Sequence, residues 1–262
     1  MRFFQATYSP LPFQNVSRLI GPNQADHPGP EANMDVQYLM GVAQNVSTWI
    51  WSVAGRTDNH APFLKWLREV DRTAVIPSVF SVSYADPELI IHPDYGRRVC
   101  DELMKLTLRG VTVLAATGDA GVACPSQTLC SQFQPYFPAS CPYVTAVGAV
   151  QWTNERPTPE PTASKSVQFS GGGFSNWFVR PAYQDAVVEA YLNTNPTPAP
   201  SFFNASGRAY PDLSAVGVQF QVVLNGTFGS HGGTSASTPV VAAVVSLVVC
   251  QPWSISIRSC IW

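Results

Sequence analysis

The sequence predicts an α/β protein with a doubly wound, mostly parallel sheet and helices on both faces. Three observations carry that expectation. Strand-like and helix-like segments alternate along the chain, the rhythm of consecutive βαβ units. Residues 111–116 and 143–150 are nearly continuous apolar runs, as in strands covered on both faces. The 262 residues are 45% hydrophobic and only 12% charged, enough material for one large core.

Taken in order, residues 32–42 suit a helix, and residues 46–53, rich in β-branched and aromatic side chains, read as a strand. Residues 61–70 place Phe63, Leu64, Leu67 and Val70 at helical spacing. A strand is expected over 74–82. A helix is expected over 94–108, where Tyr95, Val99, Leu103 and Leu106 form one stripe and Gly110 stands at the capping position. Residues 152–166 and 194–201, rich in Pro, Thr and Ser, read as loops. Residues 240–249 read as a buried helix that starts near Pro239, since proline is tolerated in a first turn. From residue 251 the composition changes abruptly, so residues 1–250 are taken as one domain and 251–262 as a tail.

A net charge of −2 gives no electrostatic case for nucleic acid or an anionic membrane surface. No apolar run reaches the roughly 18–20 residues of a membrane span, and no secretory signal follows Met1. The six cysteines, at 100, 124, 130, 141, 250 and 260, lack the C-x₂-C spacing of a zinc site. Sequons at Asn15, Asn45, Asn204 and Asn225 lean towards the secretory pathway and N-glycans.

Three short segments have the composition of a catalytic site. In Gly232-Gly233-Thr234-Ser235-Ala236-Ser237 small residues precede an apolar helix, which puts Ser235 near free N–H groups and a positive dipole end. A nucleophilic serine needs a base. None of His27, His60, His92 and His231 sits in a suitable motif, which disfavours a histidine-dependent site. Glu31 and Asp35 are spaced i and i+4, on one helix face, where like charges favour sharing a proton or hydrogen bond. Asp119 lies between Gly118 and Gly121 just beyond the strand ending at Ala116, the end of an α/β sheet where sites gather.

In this order, the three segments resemble the sedolisin family of serine-carboxyl peptidases. The likeness extends to EANMDVQYLMGVAQNVSTWIWS, VCDELMKLTLRGVTVLAATGDAG, SGGGFSNWFVRPAYQ and FNASGRAYPDLSAV, and covers about residues 12–248. It implies a subtilisin-like fold, with Ser235 as nucleophile, Glu31 as general base, Asp35 orienting Glu31, and Asp119 serving the oxyanion hole. It also implies an acid exopeptidase that releases tripeptides from free N-termini of polypeptides in the lysosome. Glutamate, with an ordinary pKa of about 4.3, works as a base in acid, and an oxyanion donor must carry its proton. Asp86 is a candidate partner for the substrate ammonium. The family's calcium site lies in a segment beyond residue 262, which leaves no metal ligand to assign in this chain. The family cysteine matching Cys124 has its partner in that segment too; here Cys124 is left to pair with Cys130 or Cys141, or to stay free. Gly232, Thr117, Ala120 and Ala85 depart from the family's usual residues without removing a catalytic group. The alternative reading is an inactive chain on the same scaffold.

Overall fold

The structure, a computed structural model, describes residues 2–8, 12–55, 61–122, 132–152, 164–194, 198–249 and 258–261. Its helices are α1 (Arg2–Tyr8), α2 (Pro30–Val42), α3 (Phe63–Asp71), α4 (Pro93–Leu108), α5 (Asp185–Leu192) and α6 (Thr234–Val249). Its strands run from β1 (Arg18–Ile20), β2 (Ser47–Trp51), β3 (Val79–Val82), β4 (Asp86–Pro87) and β5 (Thr112–Ala116) through β6 (Tyr136–Phe137), β7 (Thr145–Trp152) and β8 (Ser164–Ser166). The last six are β9 (Gly173–Val179), β10 (Gly207–Tyr210), β11 (Leu213–Val216), β12 (Phe220–Leu224), β13 (Thr227–His231) and β14 (Arg258–Ile261).

The central sheet has the order β1-β2-β14-β3-β5-β7-β11, parallel throughout, with β8 added antiparallel to β7. Alternation along the strands assigns the faces. Phe80, Val82, Val113 and Ala115 pack under α3 and α4 with Trp66, Val70, Val99 and Leu103. Val79, Leu114 and Val147 pack on the opposite side under α2 and α6 with Leu39, Met40, Ala242 and Ala243. This is the doubly wound arrangement that the sequence predicts.

The boundaries differ for physical reasons. β3 begins at Val79 rather than at 74, because Pro77 has no N–H to give to a ladder. α4 ends as expected, with Gly110 at φ +79 and its N–H returning to the Thr107 carbonyl at 2.9 Å. α6 starts at Thr234, so Pro239 lies inside it rather than in its first turn. Within the segment read as a tail, residues 258–261 pair with Ser47–Ile50 on one side and Val79–Ser81 on the other.

Cys100 on α4 is bonded to Cys141 in the turn before β7. That excludes the Cys124–Cys141 pairing left open by the sequence; Cys124 and Cys130 lie outside the described residues. Asn15, Asn45 and Asn225 are exposed, whereas the Asn204 amide donates to the Ser175 carbonyl at 3.0 Å. Among the described residues no helix is long and apolar enough to cross a membrane.

Candidate active site

The site forms where the C-terminal ends of β3 and β5 meet the N-termini of α2 and α6. The turn after β5 is held by close backbone approach. A Cβ on Gly171 would stand 2.0 Å from the Thr117 carbonyl, so only glycine fits there. Asp119 on that turn reaches across to α6, its Oδ1 accepting the Thr234 N–H at 2.7 Å and the Thr234 hydroxyl at 2.9 Å. This contact satisfies an otherwise orphaned donor at the helix end. Gly233, at φ +132, leaves room for Asp119: a Cβ there would lie 2.6 Å from Oδ2. Ser235, the next helical residue, is half-buried beside this contact.

α2 starts with Pro30, whose fixed φ suits a first turn. Glu31 therefore sits at the helix head, at the open edge of the site, with its carboxyl facing the Ser235 hydroxyl. Enough protein surrounds its carboxyl for desolvation to raise the pKa; the Ser235 hydrogen bond opposes this and the Asp119 charge adds to it. One turn on, Asp35 is 2% exposed. Its carboxyl is pushed well up, first by desolvation and then by the Glu31 charge, while a hydrogen bond with Ser83 acts the other way. Asp35 Oδ1 has no hydrogen-bond partner among the described residues.

Raised acid pKa values fix the sign of a stability change. The folded chain holds protons that the unfolded chain releases, so stability is full in acid and falls as pH rises through the folded pKa values. Asp35→Asn removes the larger of these contributions. We expect its Tm to fall less than the parent's between about pH 4 and pH 7, measured by thermal denaturation followed by circular dichroism. Parallel Tm profiles for the two chains would refute this.

The structure brings Glu31, Asp35, Asp119 and Ser235 together. It places Asp86 nearby but behind the surface. A cleft of about 380 Å³ lies beside Glu31 and Asp35, lined also by Trp51, Val53, Pro62 and Tyr84. Asp86 is buried in β4, and its Oδ1 accepts the Tyr84 hydroxyl at 3.4 Å. Tyr136 completes this wall. Its ring packs against Gly118, and its hydroxyl is pushed up by burial and by the charges of Asp86 and Asp119. Sequence reasoning missed Ser83, Tyr84, Tyr136 and Thr234 as site residues. Of these only Thr234, inside the Gly-Gly-Thr-Ser motif, carried a local signal. Among the described residues no cluster of three or more His, Cys, Asp or Glu stands ready to hold a metal ion.

A serine facing a carboxylate at a helix head, on a parallel α/β sheet, is the kind of arrangement found in serine hydrolases. The chain belongs to the subtilase family, whose pattern matches residues 38–255 and so includes Asp119 and Ser235. It is 44% identical over 237 residues to tripeptidyl-peptidase 1 of Bos taurus and of Homo sapiens, covering 89% of this chain and 41% of those proteins. To the Rattus norvegicus protein of the same name it is 41% identical over 251 residues, covering 95% of this chain and 44% of the other. The chain thus spans about two fifths of the length of these relatives. Among solved structures it superposes on a Pseudomonas sedolisin, described as a serine-carboxyl proteinase, with a TM-score of 0.65, 20% identity and coverage of 95% and 71%. That likeness speaks for the fold.

Proposed function

We propose that this chain carries the catalytic core of an acid serine peptidase that removes tripeptides from free N-termini of polypeptides. The observation that carries the reading is the Glu31 carboxyl facing Ser235 at the head of α6, with Asp119 hydrogen-bonded to the same helix end. Glu31 takes the proton as Ser235 Oγ attacks the scissile carbonyl. The oxyanion forms at the N-terminus of α6, where Asp119, as the neutral acid, and the helix dipole stabilise it. Glu31 returns the proton to the leaving amine as the C–N bond breaks. Water, deprotonated by Glu31, then attacks the acyl-Ser235 ester, and Glu31 returns that proton to Ser235 Oγ as the C–O bond breaks and the tripeptide leaves. Asp35 holds Glu31 in place. A carboxylate base in place of histidine and an oxyanion donor that must carry its proton both suit an acidic lumen, and the lysosome is the proposed compartment. A Cys100–Cys141 bond and exposed sequons at Asn15, Asn45 and Asn225 fit a protein of the secretory route.

The decisive assay is tripeptide release from an N-terminally unblocked fluorogenic substrate, with initial rates followed upward from about pH 4, near the ordinary glutamate pKa. Turnover by the parent and none by a folded Ser235→Ala variant supports the reading. Turnover that survives Ser235→Ala, or a folded parent without turnover, refutes it.

The exopeptidase preference is assigned to Asp86, which reaches the cleft through Tyr84. Asp86→Asn is expected to weaken use of unblocked substrates about tenfold, the loss of one charge-assisted contact, and to leave N-acylated substrates unaffected. An unchanged ratio of kcat/KM values would remove the assignment.

A further inference from the structure

Ser235 is held at two points, and the second has a cause in the sequence. In a regular helix the Ser235 carbonyl accepts the N–H of residue 239, four positions on. Residue 239 is proline, which has no N–H and whose ring crowds that same carbonyl. The Ser83 hydroxyl, just past the end of β3, donates to the Ser235 carbonyl at 3.2 Å. Ser83 is 9% exposed, so this bond is made away from water. Ser83 also lies beside the Asp35 carboxyl on α2.

We infer that Ser83 is a positioning residue for the nucleophile. It supplies the hydrogen bond that Pro239 withholds from the Ser235 carbonyl, and it ties the first turn of α6 to Asp35. Glu31 holds the side chain of Ser235; Ser83 holds its backbone. The two contacts meet again in α2, because Glu31 and Asp35 are one turn apart. The inference rests on the reading of Ser235 as a nucleophile.

The test is a cycle of Ser83→Ala, Pro239→Ala and the double variant. Each is read by the rate at which a fluorophosphonate probe labels Ser235 in acid and by Tm. Ser83→Ala should label about tenfold more slowly, the effect of leaving one buried carbonyl unpaired at the attacking residue. Pro239→Ala restores a backbone N–H at that carbonyl. The double variant should therefore label at nearly the rate of Pro239→Ala alone, a strongly non-additive cycle. Loss of packing around Ser83 alone would not be repaired by an N–H on α6, so additive effects overturn the inference. Labelling of Ser83→Ala at the parental rate also overturns it. If Ser83→Ala does not fold, the double variant decides: labelling like Pro239→Ala supports the inference, and failure to label while Pro239→Ala labels overturns it. A parent chain that is never labelled at Ser235 refutes the nucleophile reading itself, and the positioning role falls with it. A labelled parent with additive variants refutes only the positioning role.

Discussion

Glu31→Gln is expected to fold like the parent and to release tripeptides about 10⁴-fold more slowly, the upper range for removing a general base. Glutamine keeps the size and the hydrogen-bonding reach of glutamate but cannot accept the Ser235 proton at working pH. The helix loses a favourable charge in its first turn, worth only about 0.3–1 kcal/mol, so unfolding does not account for the loss. The substitution has a second, separable signature. Glu31 is the largest charge acting on Asp35. With that charge gone, the Asp35 pKa falls back towards its ordinary value and the acid preference of stability becomes shallower. Initial rates across pH, with denaturation of both chains over the same range, check both parts. Activity within tenfold of the parent would exclude Glu31 as the base.

Breaking the Cys100–Cys141 bond should have the largest effect on stability. The bond closes a loop with a sequence separation of 41, which holds the end of α4, β5, the Asp119 turn and β6. Freeing a loop of that length in the unfolded chain costs about 4 kcal/mol of stability, against about 5–15 kcal/mol for a whole domain. Urea unfolding of the Cys100→Ser, Cys141→Ser double variant should show the midpoint drop, with a somewhat steeper slope because the uncrosslinked unfolded chain exposes more surface. A midpoint close to the parent's would mean that packing of Phe137 and Val144 on α4 holds this loop without the bond.

How much of this was legible depended on whether the cause was local. The helix at 93–108 announced itself by its stripe and by Gly110, and β5 by an apolar run; both were found nearly to the residue. β12 and β13 went unread, although Asn225-Gly226 between them adopts φ +48 and +77, the positive values that favour a two-residue hairpin turn. The start of α6 was misplaced because Pro239 was read as a first-turn residue. Proline is tolerated deeper in the helix here because a hydroxyl from β3 takes the carbonyl it leaves, a relation spanning 152 positions. The candidate catalytic residues were singled out mainly by resemblance, since two acids on α2 and one serine before an apolar helix are common patterns. Ser83 was illegible because it acts only through the fold.

The position of β14 bears on how the molecule assembles. Among the described residues, β1 and β2 form one part of the central sheet and β3, β5, β7 and β11 the other, and β14 alone hydrogen-bonds to both. A segment more than two hundred positions from Ser47 thus acts as the seam of the sheet. Closing so long a loop before any ladder bond forms makes folding slow. While the seam is open, β2 and β3 present bare edges, the templates on which chains pair wrongly with one another. Yield on refolding should therefore depend steeply on protein concentration, and a peptide that competes for the seam would trap the two parts unjoined, with Glu31 attached to one and Asp119 to the other.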